Sequence, residues 1–217
     1  LIAIVFTGLV GFLVGIPALK LRGPYFILVT LGFAVIVGVI VLGWIDLTGG
    51  YTGVVGIPLP NPLPIPFVGE INFQSLVAQY YLVLAFLLFT LLVMHRLVYS
   101  LLGLSFMAIR NNEVLAGAVG INPFAGKILS FVVANFFAGL AGGIYASLMG
   151  SISPSTASFE LTFSWLVYLL LGGSATLAGP IIGAFAIPVL MEYLQFLAEY
   201  RLIIFGALLI AVIIYFP

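Results

Sequence analysis

Reactive side chains are scarce in this 217-residue sequence, and the few present exclude most chemistry. There is one histidine, His95, and no cysteine. Neither a thiolate nucleophile nor a Cys- or His-rich metal centre can be assembled from that inventory. Ser174 lies in a glycine-rich run, but no histidine follows His95 to act as its base, which removes an intramembrane serine-protease arrangement. No Gly-x-x-x-x-Gly-Lys phosphate loop occurs. The formal net charge is zero and no basic run could track phosphates, which argues against a nucleic-acid partner. An enzyme is not expected. The remaining polar residues must bind, pack or transmit force.

Three groups of residues could do so. Leu101 to Asn122 reads L-L-G-L-S-F-M-A-I-R-N-N-E-V-L-A-G-A-V-G-I-N. The spacing predicts one short amphipathic helix with Leu102, Phe106, Ile109 and Leu115 on its apolar face. Arg110, Asn111, Asn112 and Glu113 mark the polar part, and Gly120 with Asn122 supplies a stop signal. Such a helix either lies on a membrane surface or seats in a partner's groove and hands force to the rest of the chain. The second group is Gly172-Gly173-Ser174-Ala175-Thr176-Leu177-Ala178-Gly179-Pro180, where four of nine residues are Gly or Pro. It is either a tight turn between two helices or an unwound stretch at membrane depth, which is tolerated only where it is buried in protein or lines a cavity. The third comprises Gln79, Asn135 and Glu192, polar residues inside apolar runs. Hydrogen bonding between helices is the favoured role for these, ahead of substrate contact.

The elements that position these groups follow from composition. Hydrophobic residues make up 64% of the chain and charged residues 6%, and the mean hydropathy is +1.38. A soluble domain needs roughly 25% charged residues to cover its surface, so lipid is the solvent here. Leu1 lies within an apolar run, without an initiator Met or a charged flank, so the chain reads as a piece of a longer protein. Apolar stretches are predicted to span the membrane at Leu1–Leu19, Pro24–Trp44, Leu76–Met94, Ile128–Gly150, Phe159–Leu177 and Pro180–Ala198, with a shorter run at Leu202–Phe216. Ala134, Ala138, Gly142 and Ala146 form one small-residue ridge on the fourth of these, and Gly139, Gly143 and Ser147 a second beside it; both suit close helix packing. Ile45–Ser75, rich in Gly and Pro, reads as a structured loop rather than a helix. Lys20, Arg22, Arg96, Arg110 and Lys127 fall on one side of these spans, and of the basic residues only Arg201 on the other. By the positive-inside rule, Ile45–Ser75 is extracytoplasmic and His95–Lys127 cytoplasmic.

The stretch from Gly103 to Asn122, with Ile109-Arg110, Asn112-Glu113, Ala116 and Gly120-Ile121-Asn122, resembles the cytoplasmic coupling motif of branched-chain amino acid ABC permeases. The same family is matched by Leu19-Lys20-Leu21-Arg22-Gly23-Pro24-Tyr25-Phe26, Leu47-Thr48-Gly49-Gly50 with Gly56-Ile57-Pro58, Ser151-Ile152-Ser153-Pro154, and Gly172-Gly173 with Gly179-Pro180. The order agrees over nearly the whole chain, and the M-type subunit fits better than the H-type. Glu113, Ala116 and Gly120 follow the outline of the general Glu-Ala-Ala…Gly signature, while Val114 and Leu115 replace its small residues.

The resemblance implies an all-α, polytopic membrane helical bundle, residues 1–217 forming one permease domain with a cytoplasmic coupling helix. It implies a multi-pass protein of a bacterial or archaeal inner membrane. The implied partners are an H-type permease subunit, two cytoplasmic ATPase subunits and a periplasmic or extracellular substrate-binding protein. This chain would carry no cofactor, ATP being held by the ATPases. Arg110, Asn112, Glu113, Ala116, Gly120 and Asn122 would couple to the ATPase. Asp46, Thr48, Gly49, Gly50 and Pro58 would meet the binding protein. Gly172, Gly173, Ser174, Thr176, Gly179 and Pro180 would line or flex along the translocation path. Leucine, isoleucine and valine are the implied cargo, with urea or short amides as alternatives within the family. An ion-gradient-driven carrier or channel is the alternative from another class, and Glu192 would be its one plausible coupling residue.

Overall fold

A computed structural model describes residues 2–21, 24–61, 63–65, 69–71, 73–173, 176–193 and 206. The predicted span Leu202–Phe216 lies, Gly206 apart, outside the described residues, as do Arg22, Ser174, Glu199 and Arg201. The chain is an all-α membrane bundle. It forms two compact units, Leu1–Pro154 and Ser155–Pro217.

In the first unit, α1 covers Ile2–Ala18, α2 Pro24–Gly43, α4 Leu76–Val98 and α7 Pro123–Met149. Three of these, α2, α4 and α7, are long and apolar enough to cross a membrane. Each starts where local chemistry allows. Pro24 and Pro123 occupy first-turn positions, where the missing N–H has no helical partner anyway. Ser75 caps α4 by accepting from the Ala78 N–H at 3.2 Å.

Helices α1 and α7 pack most closely, with Gly8, Gly11, Gly15 and Ala18 of α1 and Gly139 of α7 all buried. A Cβ on Gly139 would collide with the Thr7 side chain, and one on Gly11 would lie 2.6 Å from Asn135 Cγ. The ridge in use is therefore Gly139 with Gly143; Gly142, on the other ridge, has open space where its Cβ would be. Asn135 does not bond across helices as predicted. Its Nδ2 donates to the Phe131 carbonyl of its own helix at 2.8 Å, while its side chain packs over Gly11. Gln79 likewise donates to the Phe73 carbonyl at 3.0 Å, just before α4 begins.

The Ile45–Ser75 segment, expected to be a structured loop without helix, contains short helical turns and strands among its described residues. A short helix, α3 (Ile45–Thr48), and a 3₁₀ turn at Gly50–Thr52 follow α2. The Thr48 hydroxyl lies 2.5 Å from the Val41 carbonyl and 2.8 Å from that of Trp44, so it satisfies the end of α2. Strand β1 (Val54–Val55) then pairs antiparallel with β4 (Ser151–Ile152), immediately after α7. The Gly56 and Ile57 N–H groups extend this clasp by donating to the Gly150 carbonyl at 3.0 and 2.9 Å. A second two-stranded ladder joins β2 (Leu63–Ile65) to β3 (Gly69–Ile71).

Gly53 makes the clasp possible. Its φ is +72°, and a Cβ there would run into the Ile152 carbonyl. Gly56 has φ +82° with no atom within 4 Å of such a Cβ. Both alanine variants accept left-handed strain of about 1–2 kcal/mol, but only Gly53→Ala adds a backbone collision. Gly53→Ala is expected to lower the unfolding temperature in detergent clearly more than Gly56→Ala; equal shifts would mean the clasp contributes nothing.

In the second unit, α8 covers Phe159–Gly172 and α9 Gly179–Tyr193. Ser158 caps α8, accepting from the Leu161 N–H at 3.4 Å. Gly179, Gly183, Ile187 and Met191 recur every four residues on α9 and are buried. Val167 of α8, 1% exposed, is the most enclosed large side chain among the described residues. The predicted span Phe159–Leu177 thus ends early. At 14 residues, α8 rises only about 21 Å, less than the roughly 30 Å of a bilayer core.

Candidate functional site

The residues between α4 and α7 fold into a helical elbow. The turn out of α4 is set by Ser100, whose Oγ donates to the Leu97 carbonyl at 2.6 Å and accepts from the Gly103 N–H at 3.3 Å. Gly103 is buried, and a Cβ there would strike the Leu97 and Val98 carbonyls. The next helix therefore leaves hard against the end of α4.

The predicted single helix is in fact two, α5 (Leu101–Asn111) and α6 (Glu113–Ala118). Asn112 breaks it. Its backbone is extended, with φ −157° and ψ +107°, and its Oδ1 accepts from the Val114 and Leu115 N–H groups at 3.0 and 3.1 Å. One residue thus ends α5 and caps α6; an asparagine cap stabilises by about 1 kcal/mol. The break rotates Leu115 away from its predicted partners, leaving it 63% exposed. Phe106 and Ile109 do lean on α7, where a Cβ on Gly126 would lie 2.6 Å from Ile109 Cδ1.

Helix α6 closes with its N–H groups turned back. Gly120, at φ +88°, donates to the Gly117 carbonyl at 3.1 Å, and Ile121 donates to Ala116 at 3.0 Å. This paired pattern needs a left-handed residue after the helix, which glycine supplies without strain. Asn122 then caps α7, accepting from the Ala125 N–H at 3.1 Å. Lys127 Nζ reaches back to Glu113 Oε2 at 2.6 Å. Both side chains are over a third exposed, so the pair contributes at most about 1 kcal/mol; its value is to tie α6 to α7.

The six residues singled out from the sequence thus come together, and five of them build the elbow. Asn112 and Asn122 cap, Gly120 turns, Glu113 pairs, and Ala116, 3% exposed, is packed inside. Arg110, at the end of α5, is exposed and makes no ion pair among the described residues. Around it Leu104, Met107, Val114 and Val119 also face outward, Val114 and Val119 nearly fully at 79% and 77%. The elbow thus presents a charged side chain and several apolar ones outward. The Lys127 tie and the Ser100 turn were not singled out from the sequence, although Ser three residues before Gly103 is a capping signal.

The other two groups lie elsewhere. The loop holding residues 46–58 is paired to the far end of α7 from the elbow, about 40 Å away along the 27 residues of that helix. Thr48, Gly49 and Gly50 are used in shaping that loop, whereas Asp46 and Pro58 are exposed. In the second unit, the Thr176 hydroxyl accepts from the Gly179 N–H at 3.0 Å and lies 3.4 Å from the Gly173 carbonyl. Gly172 and Gly179 touch through their backbones, with no room for a Cβ on either. Pro180 is the second residue of α9. No group of three or more His, Cys, Asp or Glu able to hold a metal occurs among the described residues.

A family profile described as the permease component of branched-chain amino acid transport systems matches residues 1–213. The high-affinity branched-chain amino acid transport system permease proteins LivM of Escherichia coli and of Salmonella typhimurium are each 30% identical over 95% of the chain. That alignment covers 53% of either relative, so the chain spans about half their length. A probable branched-chain amino acid transport permease protein of Methanocaldococcus jannaschii is 24% identical over the full chain and 66% of its own. No solved structure gives a significant match.

Proposed function

The chain belongs to the permease-component family of branched-chain amino acid transport systems, and from that premise we propose that it forms one membrane-spanning permease domain of an ATP-driven importer for leucine, isoleucine and valine. The family is one of multi-pass transport components rather than enzymes. The importer sits in the inner membrane of a bacterium or archaeon. It works with an H-type permease, two cytoplasmic ATPases that hold the ATP, and a binding protein that delivers the cargo.

The observation that supports this most directly is the elbow. Its polar motif residues are mostly spent on holding its own shape, while Arg110 and a set of apolar side chains remain outward. A rigid knob of this kind can seat in a groove and carry a partner's closure into α4 and α7. At the other end, the exposed Asp46 and Pro58 and the clasped loop around them offer a stiff landing surface for the loaded binding protein. The Gly172–Pro180 connection follows a helix too short to cross the bilayer. We place it at membrane depth, where it lines or flexes along the path.

Leucine uptake by cells lacking the gene, compared with the complemented strain, tests the proposal. The lost uptake should follow ATP and survive collapse of the proton gradient. Loss that tracks the gradient would exclude the ATPase partnership. Unchanged leucine uptake, with urea or amide uptake lost, would move the cargo assignment.

A further inference from the structure

A cavity of about 520 Å³ opens between the end of α1, α5 and the first turns of α7. Leu19, Phe106, Ile109 and Phe131 give it apolar walls, and Arg110 and Lys127 line it as well. Its lining on α7 runs from Gly126 to Ala134, about 12 Å along the helix axis. The cavity therefore has a cationic end and an apolar depth, both within the first unit.

We propose that this crevice holds an anionic phospholipid of the cytoplasmic leaflet, its phosphate on Arg110 and an acyl chain lying along α7 between Phe106 and Phe131. Charge complementarity points to this occupant. Lys127 is engaged by Glu113, whereas the Arg110 guanidinium has no ion-pair partner among the described residues and its planar fork suits phosphate oxygens. Cytoplasmic leaflets carry anionic lipids, and basic pockets between spanning helices on that side bind their headgroups. A free phosphate would use the charged end and leave the apolar depth empty, and a soluble protein would not reach that depth. The inference rests on the elbow facing the cytoplasm. Because Arg110 serves both the lipid and the elbow, the lipid would sense the elbow's position.

The test uses the complete permease complex, purified from nanodiscs holding phosphatidylglycerol and phosphatidylcholine in equal parts and analysed by native mass spectrometry. The wild type should retain phosphatidylglycerol selectively. Arg110→Gln should reduce that retention roughly fivefold, which corresponds to about 1 kcal/mol for one basic side chain. Ala134→Phe, which fills the apolar depth and leaves the charge, should reduce it as well. Equal retention of the two lipids, or retention unchanged in both variants, overturns the proposal. So does displacement by millimolar inorganic phosphate, or a crosslink showing another segment of the complete protein in the crevice. Uptake plays no part in this readout, so failure of the importer reading would leave the result intact. Labelling of a Leu115→Cys variant from the cytoplasmic side checks the orientation separately; labelling only from outside would remove the leaflet assignment.

Discussion

Gly120→Val is expected to reduce leucine uptake in proteoliposomes by at least about tenfold while the proposed ATPase partners continue to hydrolyse ATP. Gly120 has φ +88° and donates to Gly117, setting up the Ile121 to Ala116 bond that closes α6. A β-branched residue cannot hold that backbone without strain, and a loss of 1.4 kcal/mol already corresponds to roughly tenfold in an equilibrium. The elbow would then present Val114, Leu115 and Val119 at another angle. The space around Gly120 adds a second effect, since no atom lies within 4 Å of where its Cβ would be. A side chain there would point toward a partner. Gly120→Asn separates the two causes, because asparagine tolerates the left-handed conformation. If shape alone matters, Gly120→Asn transports normally; if the surface at Gly120 seats in the ATPase, both variants uncouple. The readout is leucine moved per ATP hydrolysed, and an unchanged ratio in Gly120→Val would remove the coupling assignment.

Much of the architecture is legible in the sequence because lipid imposes a simple rule. Apolar runs opening at Pro24 and Leu76 become α2 and α4, while the span predicted from Ile128 begins five residues earlier, at Pro123, and takes in Lys127. What is not legible depends on partners distant in the chain. Val54 and Ile152 pair in strands of two residues each, too short for any alternation to announce them. Two small-residue ridges on α7 look equivalent in sequence, and only Thr7 and Ala3 of α1 decide that Gly139 and Gly143 are used. The break at Asn112 is hidden for a different reason. Asn111 and Asn112 both suit the polar face of one continuous helix, and only the capping of Val114 and Leu115 shows that the second asparagine stands outside it. The elbow residues themselves are conspicuous because caps and left-handed turns require particular residue types. The surface they support is made of common aliphatic residues, which carry no such mark.

Gly183→Leu should have the largest effect on folding, and its milder counterpart bears on mechanism. A Cβ at Gly183 would run into the Tyr168 carbonyl and lie 3.2 Å from the Gly172 Cα, while one at Gly172 would meet the Gly179 carbonyl. Overpacking against movable side chains costs about 1–3 kcal/mol. Here the obstacle is backbone on both sides, so α8 and α9 would have to separate and uncover Val167, Ile187 and Met191. In lipid no hydrophobic force drives the two helices back together, and close backbone approach is itself a main source of their attraction. Gly183→Leu is therefore expected to leave little folded protein in the membrane. Gly32→Leu, on α2 where no atom lies within 4 Å of the Cβ position, should be neutral. Gly183→Ala forces a smaller separation and should still insert. If the Gly172–Pro180 connection flexes during transport, Gly183→Ala lowers uptake per folded molecule well beyond its effect on yield. If uptake and yield fall in proportion, the α8–α9 contact is a static seam, and the path must be assigned to other residues.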